Sequence, residues 1–346
     1  MGTLATDHDE HRTGLLLEQA RDLVDTLLRS SLQELPPRML LVCGYQLGWW
    51  DAHGVENPGR TGKALRPALA LAAARATGGR AADAVPAAAA VELAHNFSLV
   101  HDDVVDRDET RRHRPTAWKA FGTTDAIMAG DAMIAVTPLV LAHHDHPSLK
   151  HAIRRLGAAV ARLCEGQHLD CAFERRPAVT VAECLEMAEA KTGALLGASC
   201  ALGALAADAP HNVVVALDAF GRQIGLAFQL VDDLLGIWGE PAVTGKPVGA
   251  DLRIRKKSLP VVAVLAKQTE PARRLRALYS ADRHLSAAEV ARATELLEQA
   301  GGRIWAREQA RRYLLAALDL LDRVLLPGGD CSDLRALSTL IIRRKL

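Results

Sequence analysis

From Leu15 onward, apolar residues in this 346-residue chain return every three or four positions, the spacing of a buried helix stripe. The stripe opens with Leu15, Leu16, Ala20, Leu23, Leu27 and Leu28, after a polar stretch over 1–14 that reads as a flexible tail. Pro36-Pro37 fits a helix start and leads into a helix over 39–50. The same spacing predicts helices over 64–77, 84–106, 123–143, 149–173, 181–207, 213–238, 257–267, 287–300, 304–325 and 332–342. Gly and Pro separate them at Gly78-Gly79, Pro210, 239–249, Gly301-Gly302 and 327–329. No strand alternation persists and no hairpin signal stands out. Aromatic residues are only 4%, which weighs further against strands. The expected fold is all-α: one large helical bundle formed by 15–346 behind the tail.

Charge excludes one large class of function. Lys and Arg number 42 against 41 Asp and Glu, so no global basic field exists to recruit nucleic acid. The six cysteines form no CxxC pair and are expected to be reduced and buried, as in a cytoplasmic protein with no secretory signal. The opening MGTLAT fits a myristoylation pattern, but Asp7, Asp9 and Glu10 follow instead of basic residues, and no second membrane signal accompanies it. The longest uncharged run, 192–207, falls short of the roughly 18 residues of a membrane span. It reads as a buried core helix, and no membrane insertion is expected.

Chemistry concentrates in two segments. In the first, His95 to Trp118, Asp102 and Asp106 are four apart and share a helix face, with Asp103 between them. His95 and Glu92 lie on or beside the same stripe. Acids on an otherwise apolar helix need a cation, and hard oxygen donors suit Mg²⁺ better than zinc. Arg111, Arg112 and Arg114 follow at once, and arginines with Mg²⁺ form a phosphate-holding set. In the second segment Gln229 and Asp233 are four apart beside Asp232, and a Gly-rich loop then carries Lys246, Asp251, Lys256 and Lys257. The pairing implies two acidic helices facing one another across a central cavity. Lys63 and Arg66 precede an apolar helix, and Lys191 and Thr192 open the uncharged run.

Together these motifs resemble the trans-isoprenyl diphosphate synthase (polyprenyl synthetase) family, most of all a bacterial geranylgeranyl diphosphate synthase. DDVVD at Asp102–Asp106 is similar to the first aspartate-rich motif, QLVDDLLG to the second, and TGKALRP to the family's GGK-x-LRP. RRHRPT at Arg111–Thr116 is similar to the diphosphate-binding arginine pair. Three positions depart: Thr61 and His113 stand where a Gly is usual, and Gly236 where the second motif ends in Asp. Gly236 removes one outer acid, so a change to Asp is expected to matter little.

The resemblance implies a homodimeric Mg²⁺-dependent prenyltransferase with an isoprenoid synthase fold, acting on isopentenyl diphosphate and an allylic diphosphate. Asp102 and Asp106 would bind two Mg²⁺ ions, with Asp103 in the same catalytic group. Asp232, supported by Asp233, would bind a third. Arg111, Lys191, Lys246 and Lys256 would hold the allylic diphosphate. Lys63, Arg66, His95 and Arg112 would hold that of isopentenyl diphosphate. Thr192 and Gln229 would flank the developing cation. A small residue four positions before the first Asp and Phe five before it, here Ser98 and Phe97, match the geranylgeranyl (C20) pattern. On the helical wheel Ser98 lies about 40° from Asp102, and Phe97 about 140°.

Other readings compete. Glu92-x-x-His95 and Glu165-x-x-His168 have the spacing of a di-iron bundle oxidase, though that pattern leaves Asp102, Asp106, Arg111, Arg112, Lys246 and Lys256 unexplained. A class I terpene cyclase shares diphosphate ionisation, but its late Asn/Asp-Asp-x-x-Ser/Thr-x-x-x-Glu element is missing. A non-catalytic subunit of a heteromeric synthase would have lost more acids or lysines.

Overall fold

Ala20, Val24, Leu27, Leu28 and Leu32 are all buried at helical spacing, whereas Leu15 and Leu23 of the same stripe face solvent. They belong to α1 (Asp7–Leu32), which begins inside the stretch read as a tail. Arg12 there donates to Asp333 at 2.7 Å and Thr13 is buried, so this part of the N-terminal stretch is anchored. The computed structural model describes residues 7–56, 62–143, 145–241, 247–281, 283–323 and 329–342. Thr61 and Lys246 lie outside the described residues.

Next come α2 (Pro37–Leu47), α3 (Leu65–Ala76), α4 (Val85–Asp106), α5 (Ala117–Phe121), α6 (Thr123–Leu141) and α7 (Leu149–Arg175). Then follow α8 (Val181–Ala188), α9 (Ala194–Ala206) and α10 (His211–Trp238). The C-terminal part holds α11 (Ala250–Arg253), α12 (Leu259–Leu265), α13 (Glu270–Tyr279), α14 (Ala287–Gln299), α15 (Gly302–Arg323) and α16 (Ser332–Ile342). The expected all-α class holds, and the chain divides into two compact units. The first comprises Met1–Val160, Leu195–Ala219 and Leu320–Leu337; the second Ala161–Ala194, Phe220–Asp319 and Ser338–Leu346.

Several features depart from the sequence reading. α2 stops at Leu47 and not at Trp50, because Gly48 adopts φ +84° and closes the helix with a left-handed cap. The helix expected over 181–207 is interrupted by a π-helical turn, Glu189–Gly193. A hairpin exists where none was read: β1 (Thr110–Arg111) pairs antiparallel with β2 (Arg114–Pro115). Its turn residues Arg112 and His113 have φ of +52° and +63°, a conformation that Gly or Asn usually supplies.

In the first unit α4 packs along α6, and the alanines of α3 and α9 allow backbone-to-backbone approach. A Cβ on Gly203 in α9 would fall 2.0 Å from the Ala70 carbonyl oxygen in α3. The second unit has a core of Phe173, Met187, Leu230, Leu234, Leu259 and Val262, and another built on Ile237, Leu275, Leu285 and Leu297. By length and composition α6 and α10 could cross a membrane, but here both bury core residues such as Met133 and Phe220.

Gly203→Ala should lower unfolding stability by about 1–3 kcal/mol, since neither backbone can yield freely. Urea unfolding of the purified variant checks this, and an unchanged midpoint would contradict the close approach.

Candidate active site

The first cluster begins where α4 runs out. Its last turns carry three aspartates, and the helix ends at Arg107 with φ +56°. Helical spacing turns Asp102 and Asp106 together toward the outside: Asp102 is half-buried and Asp106 exposed. Asp103 turns inward and is only 1% exposed. Arg111 from β1 donates to Asp103 Oδ1 from Nε at 2.8 Å and Nη2 at 2.7 Å. Burial raises the Asp103 carboxyl in spite of this partner. Asp103 thus fixes Arg111 and the hairpin to α4.

Arg112 follows in the hairpin turn, and its guanidinium packs on Gly62: an added Cβ there would lie 2.9 Å from both Nη atoms. Lys63 is exposed and Arg66 half-buried on the segment leading into α3. His95 is half-buried on α4. Burial holds its imidazole well below the usual value, and Arg66, Arg112 and Arg111 push the same way, so the ring is neutral. Glu92, one turn earlier, accepts from the Asn96 amide at 3.0 Å, and burial raises its carboxyl against the pull of Arg66 and Arg112. Arginines around Glu92 and His95 repel a divalent cation, which removes the physical basis of a di-iron site there.

Ser98 and Phe97 are both buried. Ser98 Oγ donates to the His95 carbonyl at 2.8 Å, one turn below Asp102. Phe97 meets the His101 ring edge-on at 4.8 Å, and His101 Nε2 lies 3.0 Å from the Ile127 carbonyl of α6. Gly130 makes room for that imidazole, since a Cβ there would fall 2.3 Å from Nε2.

The second cluster lies in the other unit, around the π turn. Two glycines admit that turn: a Cβ on Gly166 of α7 would meet the Lys191 nitrogen at 2.2 Å, and one on Gly225 of α10 the Gly193 Cα at 2.4 Å. Gly166 therefore serves backbone packing within the former Glu165–His168 motif, while Glu165 pairs with Arg162 at 2.6 Å. From the turn, Lys191 Nζ donates to Asp170 at 2.6 Å, and Thr192 Oγ1 to Gln229 Oε1 at 2.9 Å. The Gln229 amide donates in turn to Asp233 Oδ1 at 2.9 Å, and Leu259 N to Asp233 Oδ2 at 2.8 Å.

Asp233 is buried, whereas Asp232 beside it is exposed. Burial pushes the Asp233 carboxyl up to about 7 against the opposing pull of Lys256. Lys256 is half-buried; burial disfavours its charge, but Asp170, Asp251, Asp233 and Asp232 surround it and raise its pKa. Burial would also raise Asp170, yet Lys256 and Lys191 more than offset it. Lys257 points elsewhere and donates to the Phe173 carbonyl at 2.7 Å. Asp170 escaped the sequence reading because it stands on a mixed polar helix face outside both aspartate-rich motifs.

The donors fit magnesium. Among the described residues no three His, Cys, Asp or Glu side chains are gathered as a ready cage. Mg²⁺ binds through one or two carboxylates together with substrate phosphates, and Asp102, Asp106 and Asp232 offer such carboxylates at solvent-reaching positions. In the second cluster four carboxylates stand against two ammonium groups, an excess of negative charge that a divalent cation balances.

At Gly236 the expected place of an added acid meets Asp251. The space beside Gly236 is filled by Asp251: a Cβ at 236 would fall 2.2 Å from its Oδ2. An acid added at 236 would sit on an acid already present. Gly236→Asp should destabilise the protein by about 2 kcal/mol or more, and Asp251→Ala in the same chain should restore part of the loss. Thermal unfolding of the two variants checks this; a Gly236→Asp protein as stable as the parent would show that Asp251 moves away freely.

The polyprenyl synthetase family model matches residues 49–297. The chain is 46% identical to a (2E,6E)-farnesyl diphosphate synthase of Mycobacterium tuberculosis over 343 residues, 98% of this chain and 96% of the relative. It is 48% identical to a geranylgeranyl diphosphate synthase of the same organism over 332 residues, 95% of this chain and 93% of the relative. The crystal structure of a polyprenyl synthetase from Streptomyces coelicolor A3(2) superposes with a TM-score of 0.90 at 44% identity, covering 94% of this chain and 98% of that one. The aspartate-rich end of α4, the arginine hairpin behind it and this likeness along almost the whole sequence lead to one conclusion: the chain belongs to the polyprenyl synthetase family.

Proposed function

We propose that this protein is a magnesium-dependent trans-prenyltransferase that condenses isopentenyl diphosphate with allylic diphosphates and releases geranylgeranyl diphosphate (C20). One observation carries the reading most directly. Asp102 and Asp106 share the outer face of α4, and the hairpin pinned by Asp103 brings Arg111 and Arg112 in behind them. Carboxylates for metal next to arginines for phosphate form the donor set that diphosphate ionisation needs.

In this reading Asp102 and Asp106 hold two ions and Asp232 a third. Bound magnesium neutralises the leaving diphosphate and so eases cleavage of the allylic C–O bond. Arg111, Lys191 and Lys256, with Lys246, hold the allylic diphosphate. Lys63, Arg66, Arg112 and the neutral His95 hold that of isopentenyl diphosphate. Thr192 and Gln229 are hydrogen-bonded to one another, and their oxygens flank the cation that develops as the bond breaks. The isopentenyl double bond attacks that cation, and the released diphosphate takes the proton then lost. No side-chain nucleophile is required. The reading includes a cytoplasmic homodimer.

Farnesyl and geranylgeranyl synthases are nearly equal in identity to this chain, so the product rests on Ser98 and Phe97. In this reading Phe97, whose ring packs against His101, is the floor against which a C20 chain stops.

Incubation with isopentenyl diphosphate, each allylic primer and Mg²⁺, followed by product chain-length analysis, tests the whole reading. Asp102→Ala or Asp106→Ala should cut turnover by at least about a hundredfold with the fold intact by circular dichroism. Near-normal activity at saturating Mg²⁺ would remove the assignment. Phe97→Ala should lengthen products beyond C20, and Ser98→Phe should shorten them toward C15. The same product distribution in both variants would place the floor elsewhere.

A further inference from the structure

One charged side chain outside the residues assigned above reaches the basic cluster of the first unit from a different helix. Arg21, on α1, donates from Nη2 to the Gly62 carbonyl at 3.1 Å. Its Nε is buried and makes no hydrogen bond. Gly62 immediately precedes Lys63 and also carries the packed guanidinium of Arg112. Arg21, Asp25, Trp49, Gly62, Glu92 and Asn96 line one small cavity. Asp25 already accepts from Arg29 at 2.7 Å and from the Trp49 indole at 2.5 Å, so the acid facing the guanidinium groups there is Glu92. Arg66, Arg112 and Arg21 all act on that one half-buried carboxylate. Glu92 is thus faced by three guanidinium groups, a basic surrounding that suits the anionic charge of a phosphate ester.

We infer that Arg21 is a positioning residue for isopentenyl diphosphate: by holding the Gly62 carbonyl it fixes the backbone from which Lys63 and Arg66 project, and its guanidinium adds to the charge that receives the diphosphate. The inference rests on the function read above. A side chain that only tied α1 to the chain around Gly62 would affect stability, or both substrates alike. A positioning residue affects one substrate.

The test compares wild type, Arg21→Met and Arg21→Lys. The measurements are KM for each substrate, calorimetric affinity for isopentenyl diphosphate without metal, and thermal unfolding. Arg21→Met should raise KM for isopentenyl diphosphate about tenfold or more and weaken direct binding to match, while KM for the allylic primer stays within about twofold. Arg21→Lys keeps the charge but not the fork, so it should fall between the two. Should Arg21→Met not fold, Arg21→Lys carries the same comparison with a threefold or greater effect expected. Unchanged affinity in a folded variant, or an equal rise for both substrates, overturns the inference alone. Wild type that binds no isopentenyl diphosphate overturns the function on which it rests.

Discussion

The ion pair between Asp103 and Arg111 decides where the basic groups of the first unit stand. A carboxylate that is 1% exposed needs a partner, and helical geometry leaves Asp103 facing inward whenever Asp102 and Asp106 face out. Arg111 meets that need from a two-residue strand, while Arg114 of the other strand donates to the Trp50 carbonyl and Pro115 accepts from the Tyr45 hydroxyl. Arg112 then sits in a left-handed turn with its guanidinium on Gly62, next to the segment that carries Lys63 and Arg66. The inward acid of the motif orders the arginine hairpin, and its neighbours Asp102 and Asp106 turn outward.

A similar division appears in the second unit. Asp233 is buried and held by the Gln229 amide and the Leu259 N–H, whereas Asp232 stays exposed. In both motifs one member of the adjacent Asp pair is a brace and the other is open to a ligand. The brace costs desolvation, visible as the raised carboxyls of Asp103 and Asp233. It returns orientation, since hydrogen bonds fix the side chains around each site.

The long helices were legible because burial writes itself as a three- and four-residue period: Ala20, Val24 and Leu28 in α1, or Phe220, Ile224 and Val231 in α10. The outward acids were legible for the same reason, being four residues apart. What stayed hidden had no period. The hairpin turns on Arg112 and His113, which carry no Gly or Asn signal. The π turn falls inside a helical pattern with no break of its own, and the glycines that admit it, Gly166 and Gly225, are far away in sequence. Helix α13 buries only Ala272 and Leu275 among arginines, too thin a stripe to read. Asp170 joins the lysines through tertiary contact alone, and Asp251, legible in its loop, could not be placed against Gly236 from sequence.

The π turn shows what such contacts do for a ligand. Lys191 and Thr192 project from backbone pressed against α7 at one glycine and α10 at another. No side chain lies between these backbones to act as a cushion, so the main chain there has lost its conformational freedom before any substrate arrives. The lysine's own torsions are held as well, by the 2.6 Å contact of its ammonium group with Asp170. The entropy of placing that ammonium group is thus met during folding.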